Sequence, residues 1–145
     1  MKSRSEISAG GVVYRIKNGQ LQFLIVKDAG YHRWVLPKGL VRKSEDYAAA
    51  AQREVREETG VDAEVIAPLG EPESYIYTAR GMRVFKSVHY YLMKYVSGSI
   101  EDHDHEIEEV RWVTPDAGLN LLAYGGAKIM LRRSLSLLEQ QSAQS

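Results

Sequence analysis

The chain has 145 residues, enough for one domain with a single buried core, taken here as 1–145. Basic and acidic side chains balance at 19 each, which argues against extended nucleic acid as a partner. No cysteine is present, so disulfides, thiolate zinc sites and a cysteine nucleophile are excluded. Residues 1–11 lack the apolar run of a signal peptide and no stretch reaches membrane-spanning length, so no membrane partner and a cytoplasmic location are the default expectation.

Residues 7–16 are rich in small and β-branched side chains and read as a strand. Asn18-Gly19 then punctuates, and 21–26 makes a second strand, consistent with a hairpin. Trp34-Val35-Leu36 leads into Pro37-Lys38-Gly39, whose proline and glycine are expected to end any regular element. Ser44 is the expected N-cap of a helix over 45–59, alanine-rich at 48–51 and stopped by Gly60. Further strands are expected over 61–69, 74–78, 83–95 and 107–113, and a short helix over 115–122. A terminal helix over 127–140 draws its apolar face from Ile129, Met130, Leu131, Leu135, Leu137 and Leu138. On the strand over 83–95, alternation puts His89 and Tyr91 on one face and Tyr90 on the other. With no repeat or linker, and the first helix following two or three strands, the pattern is that of an α/β layered domain.

The chemistry concentrates between Gly39 and Val61. Five residues separate Gly39 from Glu45, and after seven more comes Arg53-Glu54-Val55-Arg56-Glu57-Glu58-Thr59-Gly60-Val61. On a helix Glu54, Glu57 and Glu58 stand at i, i+3 and i+4, so their side chains converge on one face. Three crowded carboxylates repel one another, and a cation offsets that repulsion. Hard oxygen donors suit Mg²⁺ or Mn²⁺, bound through a few carboxylates together with substrate phosphates. Glu54, Glu57 and Glu58 are therefore the candidate metal ligands. A glutamate without full metal duty can serve as general base. Gly39 offers a backbone carbonyl to the metal, because no side chain blocks close approach. Arg56 reads as a solvated or supporting charge.

This string resembles the complete signature of the Nudix family. The resemblance implies an α/β/α sandwich with a mixed β-sheet, and metal-dependent hydrolysis of a nucleoside diphosphate linked to another group. It implies that Glu54 is the first choice for base, with Glu57 beside it in catalysis, and that Glu45 and Arg53 pair to hold the loop against the helix. Trp34-Val35-Leu36-Pro37-Lys38-Gly39 is similar to the motif preceding the helix in the dinucleoside polyphosphate hydrolases of that family. His105-Glu106 lies before Trp112 at the distance those enzymes use, which implies Glu106 as a further metal ligand. A tyrosine stacking on a base is implied at Tyr91, with Lys38, Lys86 and Arg83 as expected phosphate or substrate contacts. His103 and His105 are expected to line the same loop or face solvent. The chain departs from that group over Leu40-Val41-Arg42-Lys43-Ser44-Glu45, which lacks its histidine and its proline-glycine turn and makes the loop basic.

The resulting expectation is hydrolysis of a small nucleotide substrate such as diadenosine tetraphosphate. Housecleaning of nucleoside triphosphates and cleavage of inositol pyrophosphates are the enzymatic alternatives, and a nucleotide-sensing module is the non-enzymatic one. As a partner in assembly the sequence allows a monomer or a homodimer.

Overall fold

The computed structural model describes residues 2–144. Its strands are β1 (Ser3–Lys17), β2 (Gln20–Asp28), β3 (Trp34–Val35), β4 (Lys38–Leu40), β5 (Val61–Pro68), β6 (Glu73–Ala79), β7 (Met82–Gly98) and β8 (Ile107–Val113). Three α-helices, α1 (Tyr47–Thr59), α2 (Pro115–Leu121) and α3 (Gly125–Gln144), complete it, with a 3₁₀ turn at Ile100–Asp102. The strands form one sheet in the order β3-β2-β1-β7-β5, with β4 and β6 attached to β1 and β7 and β8 to β2. β1 and β7 run parallel and the other strand pairs antiparallel, so the sheet is mixed.

Alternation along the central strands explains the layers. Val12 and Tyr14 of β1 and Val88, Tyr90 and Leu92 of β7 pack on one side with Met130 and Leu131 of α3. Ala9 and Val13 of β1 and Met93 of β7 pack on the other with Ala50, Ala51 and Val55 of α1. The sheet is thus covered by α1 on one face and by α2 and α3 on the other, the α/β/α sandwich expected from the sequence.

Local signals behave as their chemistry dictates at the β1–β2 hairpin, where Asn18 and Gly19 both take left-handed backbone, φ 53° and 76°. Four details differ from the sequence reading. Asp46, not Ser44, caps α1: its carboxylate accepts from the Ala49 N–H at 3.1 Å, while Ser44 sits at φ 63°, outside the extended conformation an N-cap needs. Lys38 and Gly39 do not end regular structure but form β4, paired with Ser8–Gly10 of β1. Strand β1 begins before its apolar core because it pairs with β7 from Ser3 onward, and β7 runs on to Gly98 because its far end pairs with Val61 and Asp62 of β5. Ile129 lies on the outer side of α3, 46% exposed, instead of in the core. No helix among the described residues is long and apolar enough to cross a membrane.

Candidate active site

Helix α1 and strand β4 meet at Gly39. A Cβ on Gly39 would lie 2.1 Å from the Glu54 carboxyl carbon, so the space a side chain would need is filled by that carboxylate. One turn on, the Glu58 carboxylate accepts from the backbone N–H of Lys38 at 3.2 Å. Arg53 binds the preceding loop down: its Nε and Nη2 donate to the two oxygens of Glu45 at 2.8 and 2.9 Å, and Nη2 also reaches the Leu40 carbonyl at 3.1 Å. The Arg42 N–H completes the clamp by donating to Glu45. The Arg53 guanidinium foremost, and then that N–H, hold the Glu45 carboxyl down at about 2. The remaining nitrogen of Arg53 donates to Glu54 at 2.7 Å and Glu57 at 3.2 Å. Arg56 points away, exposed beside Asp62.

Glu54, Glu57 and Glu58 line a cavity of about 420 Å³ whose opposite wall carries Asp104 and Glu106 from the loop before β8. The Glu106 N–H donates to the Asp104 carboxylate, which turns that loop back on itself. His103 Nδ1 donates to the Asp104 carbonyl at 2.8 Å, and the His105 ring is almost wholly in solvent. A second cavity, of about 710 Å³, opens on the α3 side and is lined by Tyr31, Tyr75, Tyr77, Tyr90 and Tyr124 together with Lys86. The two share Asp28, Val35, Leu36 and Lys38. Lys38 therefore stands at the junction between a carboxylate-lined chamber and a tyrosine-lined one. Burial pushes its ammonium down, Lys86 adds to that, and Glu58 acts against it.

Of the residues expected to meet substrate, Lys38 and Lys86 share the second cavity, where Lys86 also pairs with Glu6 at 3.4 Å. Tyr91 and Arg83 are not on its wall. Alternation along β7 turns both to the face opposite Lys86 and Tyr90, and Tyr91 packs on the α1 side. Tyr90 takes the cavity position, almost fully buried. Sequence reading missed Asp28 and Asp104, since a single carboxylate in a turn or acidic loop carries no local signal. It also missed Tyr31 and Tyr124, which lie far apart in the chain.

The NUDIX domain family matches residues 5–133. The chain belongs to the Nudix family. An asymmetrical bis(5'-nucleosyl)-tetraphosphatase of Caenorhabditis elegans is 31% identical over 134 residues, covering 90% of this chain and 95% of that one. A Mycobacterium tuberculosis protein named for mutator function, MutT4, is 36% identical over 97% of this chain, which spans only 58% of its length. The crystal structure of a C. elegans Ap4A hydrolase binary complex superposes with a TM-score of 0.76 at 28% identity, over 93% of this chain and 98% of that one.

Nudix hydrolases generally use divalent metals. Among the described residues no three carboxylate or imidazole groups stand close enough together to hold an ion as they are, and one Arg53 nitrogen pairs with both Glu54 and Glu57. In kind, the donors of this Nudix domain fit a hard cation: all are oxygens, and they face one chamber. The Glu58 carboxyl is the clearest sign. It takes one backbone hydrogen bond and no ion pair among the described residues, and burial foremost, with Glu54 adding, raises it to about 8. A buried carboxylate with so little compensation is suited to an arriving cation.

Proposed function

We propose that this Nudix hydrolase domain cleaves a phosphoanhydride bond in a dinucleoside polyphosphate, such as diadenosine tetraphosphate, with Mg²⁺ or Mn²⁺ as cofactor. The observation that carries the reading is Lys38 at the junction of the two chambers. A ligand spanning them presents phosphates to the carboxylate side and a base or ribose to the tyrosines. The name of the C. elegans relative supports the same substrate class.

Glu54, Glu57 and Glu58 would hold the metal from α1, with Glu106 from the facing loop and the Gly39 carbonyl from β4. The metal, when bound, supplies charge neutralisation at the phosphoryl oxygens and acidifies the attacking water. Glu54 takes the proton of that water: one of its oxygens is held by Arg53, and the carboxylate lies against Gly39 within the chamber. The Lys38 ammonium sits over the polyphosphate chain as a compact positive charge. Tyr75 and Tyr90 offer ring faces to a base, and Lys86 adds charge on the same wall.

A second reading, hydrolysis of nucleoside triphosphates, is favoured by the similarity to an 8-oxo-(d)GTP phosphatase of Mycolicibacterium smegmatis, 30% identical over 78% of this chain. Ion-exchange analysis of products separates the two, using the purified protein with Mg²⁺ and a panel of diadenosine polyphosphates and nucleoside triphosphates. Release of ATP and AMP from diadenosine tetraphosphate, lost in Glu57→Gln, is expected. Cleavage of triphosphates alone overturns the first reading in favour of the second.

A further inference from the structure

The wall of the tyrosine chamber carries a carboxylate for which the hydrolysis reading has no task. Glu73 is the first residue of β6 and by alternation shares a face with Tyr75 and Tyr77. Val88 and Lys86 of β7 stand opposite Glu73 and Tyr75 on that same face. The half-buried Glu73 side chain reaches the first turn of α3, where a Cβ on Gly126 would fall on one of its carboxylate oxygens. Glycine at 126 therefore leaves the seat that the carboxylate fills, and the free N–H groups of that turn attract its negative charge.

Other polar groups on the wall are committed. The Tyr77 hydroxyl and the Lys86 ammonium both donate to Glu6, at 2.6 and 3.4 Å. Asp28, at the junction with the carboxylate chamber, accepts from the Gly30 N–H at 2.6 Å. Glu73 takes no hydrogen bond and no ion pair among the described residues. A carboxylate only accepts, and it repels phosphate, so the part of a ligand that meets Glu73 must donate and carry no negative charge. The Glu73 charge is felt on two sides. It opposes the burial that lowers the Lys38 ammonium, and, after burial itself, it raises the Tyr75 and Tyr90 hydroxyls. Glu73 thus stands near both the lysine assigned to phosphate and the rings assigned to a base. In a nucleotide the sugar lies between those two.

We propose that Glu73 reads the ribose, its two oxygens accepting from the 2′- and 3′-hydroxyls, and so selects ribonucleotides over 2′-deoxynucleotides. A carboxylate on the ribose hydroxyls does this work in dinucleotide-binding folds. A base amino group is the other donor a nucleotide offers, but it lies on the edge of the ring far from sugar and phosphate. The proposal rests on the nucleotide reading of this chamber and does not depend on which polyphosphate is cleaved.

Isothermal titration calorimetry tests it with adenosine 5′-(α,β-methylene)diphosphate and the 2′-deoxy analogue, in which carbon replaces the bridging oxygen and blocks cleavage. With Mg²⁺ present, the ribose form is expected to bind about tenfold more tightly, because the deoxy form leaves one Glu73 oxygen without its donor. Glu73→Gln is expected to bring the two forms within about threefold, since the amide keeps one acceptor and loses the charge. Gly126→Ala retains the carboxylate but fills its seat, and is expected to erode the preference in the same way. Thermal melting of each variant follows the support Glu73 gives α3, and a purely structural Glu73 would move the melting temperature and leave the ribose preference intact. Equal binding of the two forms by the wild-type protein, or a preference that survives Glu73→Gln, overturns the proposal. A Glu73→Gln protein that keeps the ribose preference but changes its choice between adenosine and guanosine forms replaces it with base reading. Failure of the wild-type protein to bind either form removes it together with the nucleotide reading on which it rests.

Discussion

In the metal-ligand role proposed above, Glu58 trades stability for chemistry. Its folded-state value of about 8 lies above the ordinary carboxyl value near 4.5. Between those limits the native state holds a proton that the unfolded chain has lost, so the metal-free protein loses stability as pH rises from about 4.5 to 8 and no further above that. Melting of the metal-free protein across this window is expected to show a smaller decline in Glu58→Gln, whose amide oxygen can still accept from the Lys38 N–H. Cation binding requires the carboxylate, so the Mg²⁺ concentration for half-maximal activity is expected to rise as pH falls from 8 towards 6. A Mg²⁺ requirement independent of pH over that range would remove Glu58 from the ligand set. Arg53 acts on the same chamber through geometry. Arg53→Lys keeps the charge but loses the fork to Glu45 and Leu40, and a loss of about tenfold or more in metal affinity is expected, read by Mg²⁺ titration of activity.

At the scale of elements, two glycines matter to α1: Gly60 at its end, and Gly39 of β4, which receives its Glu54 side chain. Gly60 ends it at φ 79°, and a Cβ there would stand 2.4 Å from the Ser99 carbonyl. Gly60→Ala is therefore expected to destabilise the fold by about 1–3 kcal/mol, measured by urea denaturation. Gly39→Ala should do the opposite: little loss of stability, but a Glu54 carboxylate displaced from its seat and a fall in kcat of orders of magnitude. Near-normal turnover in Gly39→Ala would mean that Glu54 has no fixed position in the reaction. These elements differ in how far the sequence discloses them. The termination at Gly60 was legible because a left-handed C-cap is a local property of glycine. The start of α1 was not, because both Ser44 and Asp46 are good caps, and the choice falls to Arg53 pulling Glu45 out of the helix. Strand β4 was hidden for a similar reason, since pairing with β1 overrides the breaking tendency of Pro37 and Gly39.

On the scale of the whole molecule, the two chambers differ in how they are built. Three carboxylates of the first chamber, Glu54, Glu57 and Glu58, stand on one helix, so their spacing was readable, while Asp28, Asp104 and Glu106 come from elsewhere in the chain. The tyrosine chamber is assembled from the β2–β3 loop, β6, β7 and the start of α3, and only the fold brings those segments together. Alternation on β7 separated Tyr90 from Tyr91 in advance, but which face would meet the cavity depended on where α1 and α3 pack. Lys38 lines both chambers, and the role proposed for it rests on that placement. A short polyphosphate can be held by the carboxylate side and its cation alone. A longer chain must pass Lys38 before its second nucleoside reaches the tyrosines. Lys38→Ala is thus expected to raise KM for diadenosine penta- and hexaphosphate more than for nucleoside triphosphates, by about tenfold relative to them. The ratio of kcat/KM values across chain length measures this directly. An equal loss on every substrate would place Lys38 at a phosphate common to all of them, inside the carboxylate chamber and not between the two.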